Sequence, residues 1–254
     1  MIKRSEKIKL AIAIPTYNEA KNIKKLIAEI KKVIIETGIV CTVLIIDDNS
    51  PDKTGEIAEQ LKKLEKTKNF RIEVLHRKEK NGLGKAYIDG FNMLLKHDFT
   101  HFMQMDADLS HNPKYIKNFL EAVHDNKADF IVGSRYINGG STPDWSTGRK
   151  LLSRFGNIYT QILLGNQIHD YTGGYNLYSY ELLVKINPNL LRETRGYGFQ
   201  IELKSKAVRA CSQAIEIPII FMDRQHGKSK MPKNTIFKNL LLVIKIKINN
   251  YATD

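Results

Sequence analysis

Short apolar runs alternate with amphipathic stretches over the first half of the chain, and this alternation constrains the fold most strongly. The predicted elements are strand 10–14, helix 20–36, strand 42–46, helix 54–66, strand 71–76, helix 83–97, strand 100–105, helix 112–124 and strand 129–133. Strands separated by helices of this length are typical of βαβ units. The sequence therefore predicts an α/β fold with a mostly parallel, Rossmann-like sheet flanked by helices.

The second half is predicted to contain a loop, two further helices and a strand-like run over 214–221. Residues 138–148 are rich in Gly, Ser, Thr and Pro, which predicts a mobile loop. Residues 149–164 carry an apolar stripe behind a basic start, which fits either core packing or a helix lying at a lipid headgroup surface. For a last helix over 235–249, contact with a membrane or a membrane-embedded partner is favoured over burial. We expect one large domain over 1–234 and an amphipathic, interfacial segment over 235–254.

The balance of charge indicates the kind of partner. The chain of 254 residues carries 40 Lys and Arg against 27 Asp and Glu, a formal net charge of +13. This charge favours nucleic acid, an anionic membrane surface or phosphorylated substrates, without choosing among them. Two cysteines exclude a disulfide framework and a four-cysteine zinc site, and Cys41 is predicted to be a buried apolar residue. No window approaches the ~20 apolar residues that a membrane-spanning helix needs.

The acidic motif Asp106-Ala107-Asp108 follows the fourth predicted strand and indicates a metal site. Alternation along a strand would send both carboxylates to one side, where they would grip a hard divalent cation and, through it, a diphosphate. A second acidic pair, Asp47-Asp48, closes the second predicted strand. Two strands that end in acids indicate one crevice at the carboxyl edge of the sheet. A solvated turn is the alternative for the first motif by itself, whereas acids of the segment 47–52 would also satisfy backbone donors and cap the next helix.

Three more segments place polar groups where predicted strands end. Pro15-Thr16-Tyr17-Asn18-Glu19 offers a ring for base stacking and a carboxylate for ribose or base donors, or else a turn in which Asn18 caps the next helix. Gly133-Ser134-Arg135 offers a guanidinium for phosphate oxygens, or a surface ion pair. A basic loop with Arg224 and Lys230 would close over a diphosphate, or stay solvated.

The order of these motifs along the chain resembles that of a known enzyme family. The resemblance rests on Pro15-Thr16-Tyr17-Asn18-Glu19, Asp47-Asp48-Asn49-Ser50-Pro51-Asp52, Asp106-Ala107-Asp108-Leu109-Ser110-His111, Gly133-Ser134-Arg135-Tyr136, Arg149-Lys150-Leu151-Leu152-Ser153-Arg154, Gly196-Tyr197-Gly198-Phe199-Gln200 and the loop from Asp223 to Lys230. Over roughly residues 8–245 the chain is similar to the family 2 inverting glycosyltransferases, and among them to anchorless dolichol-phosphate mannose synthase catalytic subunits. The resemblance implies a GT-A fold and mannose transfer from GDP-mannose to dolichyl phosphate, for glycosylation and GPI-anchor synthesis.

The resemblance also implies a role for each matching residue. The guanosine would be held by Pro15, Tyr17, Glu19, Ile46 and Asp48. Mg²⁺ or Mn²⁺ and the diphosphate would be held by Asp106 and Asp108, with the backbone of Ala107 between them. The sugar nucleotide would be enclosed by Arg135, Arg224 and Lys230. Arg149 and Ser153 would join Arg135 around the acceptor phosphate, so Asp108, Arg135, Arg149 and Ser153 are the expected catalytic residues.

Expected partners and rival functions complete the interpretation. The resemblance implies a peripheral membrane protein, on the cytoplasmic face of the endoplasmic reticulum in a eukaryote, with small membrane-embedded subunits as partners and no nucleic acid. Lys53 stands where relatives often carry glycine, which puts the geometry of that turn in question. Because an acceptor phosphate has a second pKa of ~6, no general base is needed, and His111 and Glu202 are expected to be structural. Glucose transfer from UDP-glucose is the alternative, and a sugar nucleotidyltransferase or a nucleic-acid-binding module is a more distant one.

Overall fold

A computed structural model of the protein describes residues 8–126, 128–192, 196–223 and 235–251. The strands are β1 (Lys9–Thr16), β2 (Val40–Asp47), β3 (Phe70–His76), β4 (His101–Gln104), β5 (Phe130–Ser134), β6 (Asn176–Ser179) and β7 (Ala214–Pro218). The helices are α1 (Ile23–Thr37), α2 (Thr54–Leu64), α3 (Leu83–Leu94), α4 (Ile116–Asn126), α5 (Thr147–Leu164), α6 (Tyr180–Ile186), α7 (Gly196–Ala210) and α8 (Thr235–Tyr251). Short 3-10 turns lie at Pro113–Tyr115 and Pro188–Leu190.

The strands form one sheet in the order β3-β2-β1-β4-β6-β5-β7. Of the described strands, only β6 runs antiparallel, between β4 and β5, so the predicted mostly parallel α/β sheet is confirmed. The carboxyl ends of β1, β2, β4 and β5 lie at one edge, and the segment leading into β6 begins at the same edge. The strand order reverses next to β1, where open α/β sheets bind their ligands.

Helices cover both faces of the sheet and create two hydrophobic cores. One core lies beneath α1, α2 and α4, and the other beneath α3, α6, α7 and α8. Helix α1 shows why its sequence forms an amphipathic helix, since Ile23, Leu26, Ile27 and Ile30 are buried at spacings of three and four residues. Cys41 is a fully buried free thiol, as predicted.

Several elements differ from the prediction for identifiable reasons. Strand β1 continues through Pro15 to Thr16, because a proline near the end of a strand removes only one possible donor. The helix predicted over 112–124 begins as a 3-10 turn at Pro113. Strand β6 and helices α6 and α7 were not predicted, and the four residues of β6 are too few to show a period.

The loop at 138–148 was predicted to be mobile, but contacts of Ser141 and Trp145 fix its central part. Ser141 pairs with Ile220 in a parallel bridge, through hydrogen bonds to Ile219 and from Phe221 of 3.1 and 2.9 Å. Trp145 is only 5% exposed. The small, polar residues of this segment therefore build a packed connection, and their composition gave no indication of these tertiary contacts.

The apolar stripe of α5 faces away from the core. Its exposed members are Leu151, Leu152, Phe155, Ile158 and Ile162, whereas Tyr159 is partly buried and donates a hydrogen bond to the Leu240 carbonyl of α8 (3.1 Å). Helix α8 divides its apolar residues, burying Val243 and Ile246 while Leu241, Ile244 and Ile248 stay exposed. Core packing is thus excluded for most of the α5 stripe and applies to one side of α8. Within the described ranges, no helix is both long and apolar enough to cross a bilayer.

Candidate active site

The two aspartates of the acidic motif lie in a loop at the carboxyl edge, directly after β4. The strand ends at Gln104, so the expected alternation along a strand does not place them. Leu109 places them instead: it adopts a left-handed conformation (φ 66°) while its side chain is buried in the core. Such a conformation is costly for a bulky residue and persists only when packing enforces it. Asp106 has a side chain that is 35% exposed, whereas Asp108 is 7% exposed.

His111 is buried between this loop and Tyr175 and contacts both. Its Nδ1 accepts a hydrogen bond from the Asp106 amide (3.0 Å), and its ring stacks on Tyr175 at 4.8 Å. Burial lowers the pKa of His111, against the opposing charges of Asp106 and Asp108. The imidazole is therefore neutral with Nδ1 as acceptor, in keeping with a structural role.

The donor set of the acidic loop fits a hard divalent cation. Asp106 and Asp108 supply carboxylate oxygens, the ligands that Mg²⁺ and Mn²⁺ prefer. Among the described residues, no group of three His, Cys, Asp or Glu side chains converges on one point. The protein would thus provide two carboxylates, and a bound diphosphate and water would complete the coordination. A closed zinc site, which needs nitrogen or sulfur ligands, does not fit.

A second cluster lies at the ends of β2 and β3. Asp48 is buried and bonds to the guanidinium of Arg77, which also donates to Asp89 (2.8 Å) and to Asn81. Burial raises the pKa of Asp48, although Arg77 acts to lower it. Asp47 instead accepts hydrogen bonds from the amide and hydroxyl of Ser50 (3.2 and 2.6 Å), so it fixes the turn.

The other residues expected to hold the guanosine lie beside this cluster, with one exception. Tyr17 follows β1 and lies under the ammonium of Lys80, 4.1 Å from its ring centroid. Glu19 accepts a hydrogen bond from Asn22 (2.7 Å), and Asn22, not Asn18, is the residue that precedes α1. The side chain of Ile46 is fully buried in the core beneath α3, so only its backbone is placed for the predicted contact with the guanosine.

Arg135 lies at the end of β5 in a buried ion pair. Its Nε and Nη2 donate to the two oxygens of Asp170 at 2.7 Å, and Nη2 also donates to Thr172 (2.8 Å). Burial would raise the pKa of Asp170, but the charges of Arg135 and Lys204 outweigh it and hold the pKa well below its ordinary range. Lys204 is itself fully buried, donates to the Asp170 carbonyl (2.6 Å) and has its pKa lowered by burial to about 8.

Aromatic rings bring the predicted acceptor residues together. The guanidinium carbons of Arg149 and Arg135 lie 3.9 and 5.4 Å from the ring centroid of Trp145. Ser153 accepts a hydrogen bond from Tyr136 (2.6 Å), whose ring lies 5.3 Å from Arg135. The structure thus groups Arg135, Arg149 and Ser153. Arg224 and Lys230 lie outside the described residues.

One more ring joins the acidic and basic ends of the site. Phe221 lies edge-on to His111 (5.3 Å between centroids) and edge-on to Trp145 (5.7 Å). It also lies 5.5 Å from the Arg135 guanidinium. Packed rings therefore link the acidic loop, through His111, to the two arginines, an arrangement suited to a metal-bound diphosphate at one end and an anionic reactant at the other.

Comparison with known proteins agrees with this geometry. The family model described as glycosyl transferase family 2 matches residues 11–186, more than half of the chain. The chain belongs to glycosyltransferase family 2. A polyprenol monophosphomannose synthase of Mycolicibacterium smegmatis is 39% identical to this glycosyltransferase over 89% of this chain and 82% of the relative. An undecaprenyl-phosphate mannosyltransferase of Micrococcus luteus is 37% identical over 86% and 85%, respectively.

Solved structures confirm the GT-A-like fold of this family 2 glycosyltransferase. Mannosyl-3-phosphoglycerate synthase from Rubrobacter xylanophilus matches with a TM-score of 0.65 at 15% identity, over 97% of this chain and 74% of that one. Glucosyl-3-phosphoglycerate synthase from Mycobacterium tuberculosis, solved with Mn²⁺ and UDP, matches with a TM-score of 0.62 at 16% identity, over 95% and 79%.

Sequence reasoning missed three residues of the candidate site. Arg77 follows β3 directly, as Arg135 follows β5, so its position after a strand was an available signal. Trp145 lies in a segment whose composition predicted only a loop. Asp170 comes from a stretch with no periodicity, and only the tertiary structure brings it to Arg135.

Proposed function

We propose that this glycosyltransferase transfers mannose from GDP-mannose to a polyprenyl phosphate and inverts the anomeric carbon. The observation that carries the proposal is one cluster of packed rings with Asp106 and Asp108 at one end and Arg135 and Arg149 at the other. The names of the two curated relatives support mannose as the sugar and a polyprenyl phosphate as the acceptor. Dolichyl phosphate as that acceptor, and a location at the endoplasmic reticulum, are supported only by the sequence resemblance.

At the donor end, Tyr17 and Asp48 bind the nucleoside and the acidic loop binds the diphosphate. Asp106 and Asp108 would hold Mg²⁺ or Mn²⁺, which neutralises the charge that develops on the departing diphosphate. Arg77 keeps Asp48 in one orientation through its hydrogen bond. A carboxylate fixed in this way accepts hydrogen bonds from base or ribose donors.

At the acceptor end, the arginines orient a phosphate for attack. A phosphate oxygen forms the bond to the anomeric carbon while the bond from that carbon to the diphosphate oxygen breaks and GDP leaves. The phosphate monoester is already ionised near neutral pH, so no side chain has to remove a proton. Asp170 and Trp145 hold Arg135, and Trp145 together with Asp223 (2.9 Å) holds Arg149.

The acceptor's hydrocarbon chain requires a nearby lipid surface. The exposed stripe of α5 begins at Leu151, two residues after Arg149, which puts apolar side chains near the proposed acceptor end of the site. Exposed apolar residues of α8 extend this surface. We therefore propose a peripheral membrane protein, with α8 as an interfacial element and membrane-embedded subunits as further partners.

Product analysis with purified protein tests the proposal. Radiolabelled GDP-mannose and UDP-glucose are each incubated with undecaprenyl or dolichyl phosphate in detergent and a divalent cation, and the lipid product is identified. We expect a mannosylated lipid phosphate. A glucosylated lipid, or no lipid product from any pair, would contradict the proposal.

A matched pair of arginine variants tests the acceptor site. Arg149→Ala is expected to raise KM for the lipid phosphate about tenfold, with KM for GDP-mannose unchanged, because it removes a charged hydrogen-bond donor. Arg71→Ala, exposed at the start of β3 on the opposite edge, is the control. A change in KM for GDP-mannose alone would refute the assignment of Arg149.

A further inference from the structure

Gly174 lies between the acidic loop and α7, and its missing side chain leaves a position bordered by both. A Cβ atom placed on Gly174 would lie 3.4 Å from Gln200 Nε2, 3.5 Å from Asp106 Oδ1 and 3.5 Å from His111 Cε1. These are ordinary van der Waals distances, and Gly174 is not among the glycines with positive φ. Neither steric clash nor backbone conformation in the protein therefore explains a glycine here. We call this space the Gly174 niche.

The amide of Gln200 faces this niche with an unsatisfied donor. Gln200 is 3% exposed, and its buried Nε2 has no hydrogen-bond partner within the described part of the chain. Its Oε1 accepts from Asn176 Nδ2 (3.4 Å), and Asn176 also donates to Gln104 Oε1 (3.0 Å) and to the Gly173 carbonyl (3.3 Å). A buried donor without a partner costs free energy, which binding of an acceptor would recover.

The atoms around the niche select one chemical class of ligand. Gln200 offers N–H hydrogens, whereas Asp106 offers a carboxylate oxygen. Between these two atoms, a phosphate oxygen with no intervening cation would be repelled by Asp106 Oδ1, and a cation would be repelled by the amide hydrogens of Gln200. A hydroxyl group both donates and accepts, so it matches the two walls at once.

We infer that Gln200 is a hexose-binding residue of the donor site. Its Nε2 donates to one hydroxyl of the sugar being transferred, and the same hydroxyl donates to Asp106 Oδ1 across the Gly174 niche. The inference rests on the proposed function, since the hexose reaches this niche only when its diphosphate lies at the acidic loop. It adds a residue that distinguishes donors by their sugar, besides any contact to the base.

Deoxy-sugar donors test this hydrogen bond, whichever hydroxyl of the sugar forms it. Wild type, Gln200→Met and the control Gln213→Met are assayed with GDP-mannose and with its 2-, 3-, 4- and 6-deoxy analogues. Gln213 is an exposed amide at the start of β7, on the opposite edge of the sheet. For one analogue, the kcat/KM of wild type and control is expected to be about threefold to tenfold lower than with GDP-mannose. For Gln200→Met, the difference between GDP-mannose and that analogue is expected to be smaller.

Gly174→Ala gives an independent test that does not depend on how Gln200→Met folds. The added methyl contacts its neighbours at ordinary distances, so the melting temperature is expected to stay within about 2 °C of wild type. With GDP-mannose the variant is expected to lose about tenfold or more in kcat/KM, because the methyl takes the place of the hydroxyl. The loss should be smaller with the one deoxy donor that Gln200 distinguishes.

The outcomes separate this inference from the proposed function. If wild type uses GDP-mannose but Gln200→Met keeps the full discrimination against every deoxy donor, the inference is wrong and the niche holds water. Undiminished activity of Gly174→Ala would also overturn it. If wild type does not use GDP-mannose at all, the proposed function fails first.

Discussion

At the scale of single residues, left-handed backbone conformations mark the loops that build the site. Asn18, Asn49, Lys53 and Leu109 all have positive φ, and each lies in a loop at the carboxyl edge. Asparagine adopts this conformation at little cost, whereas lysine and leucine do so at a cost of about 1–2 kcal/mol. Lys53 forms its turn in the left-handed conformation, with φ 70°. Glycine adopts this conformation without strain, which explains why relatives would carry glycine at this position.

Lys53→Gly is expected to stabilise the protein. Glycine relieves the left-handed strain, and the exposed Lys53 loses only a long ion pair to Glu56 (3.8 Å). After the greater entropy of glycine in the unfolded chain is counted, the free energy of unfolding should rise by about 0.5–1 kcal/mol. Urea denaturation measures this change.

Lys66→Gly is the control for that substitution. Lys66 is also exposed and lies outside helices and strands, but its φ is not positive. Glycine there should lower the stability. Equal effects at both positions would argue against stored strain at Lys53.

The sequence predicted which polar residues lie at the strand ends, but it did not predict which side chains they contact. Asp48, Asp106 and Arg135 each follow a strand at the same edge, so pattern and topology together located them. Asp170 and Gln200 reach the site from segments distant in sequence, and no local pattern encodes those contacts. The assignment of Ile46 to the guanosine, made through the family resemblance, stays a prediction, since the structure shows only that its side chain is buried.

At the scale of elements, α5 combines two residues proposed to bind the acceptor with an exposed apolar surface. Arg149 and Ser153 lie in its first two turns, and the exposed stripe begins at Leu151. Periodicity predicted the helix but could not say which layer its apolar side would meet. The structure decides between core packing and a lipid surface only in part: it shows that the apolar stripe of α5 is exposed and faces away from the core.

Serine substitutions on this stripe test membrane binding. The variant Leu151→Ser/Phe155→Ser/Ile162→Ser is expected to bind anionic vesicles at least about tenfold more weakly, because apolar contact with the acyl boundary is lost. Flotation of vesicles containing phosphatidylglycerol measures the bound fraction. Since these side chains are exposed, the melting temperature should change little.

An exposed apolar pair elsewhere provides the control. Ile35 on α1 is 65% exposed, the same fraction as Leu151, and Leu64 on α2 is 77% exposed. Ile35→Ser/Leu64→Ser should leave vesicle binding unchanged. Equal vesicle binding by wild type and both variants would show that α5 does not contact the membrane.

At the scale of the whole molecule, the net charge and the sheet topology both suit the two anionic substrates of the proposed function. The formal charge of +13 favours anions over the entire surface, and near an anionic leaflet each basic residue contributes about 1 kcal/mol. The alternation of strands and helices in the sequence predicted the parallel part of the sheet. It did not predict the antiparallel strand β6, which brings Gly174 and Asp170 to the site.

The central claim is that Asp106 and Asp108 bind a divalent cation together with the donor's diphosphate. The most direct measurement is calorimetric titration of GDP into wild type, Asp108→Asn and the exposed control Asp125→Asn, each with and without Mn²⁺. We predict that Mn²⁺ tightens GDP binding on the order of tenfold or more in wild type and control, and hardly at all in Asp108→Asn. The same Mn²⁺ dependence in all three proteins would contradict the account.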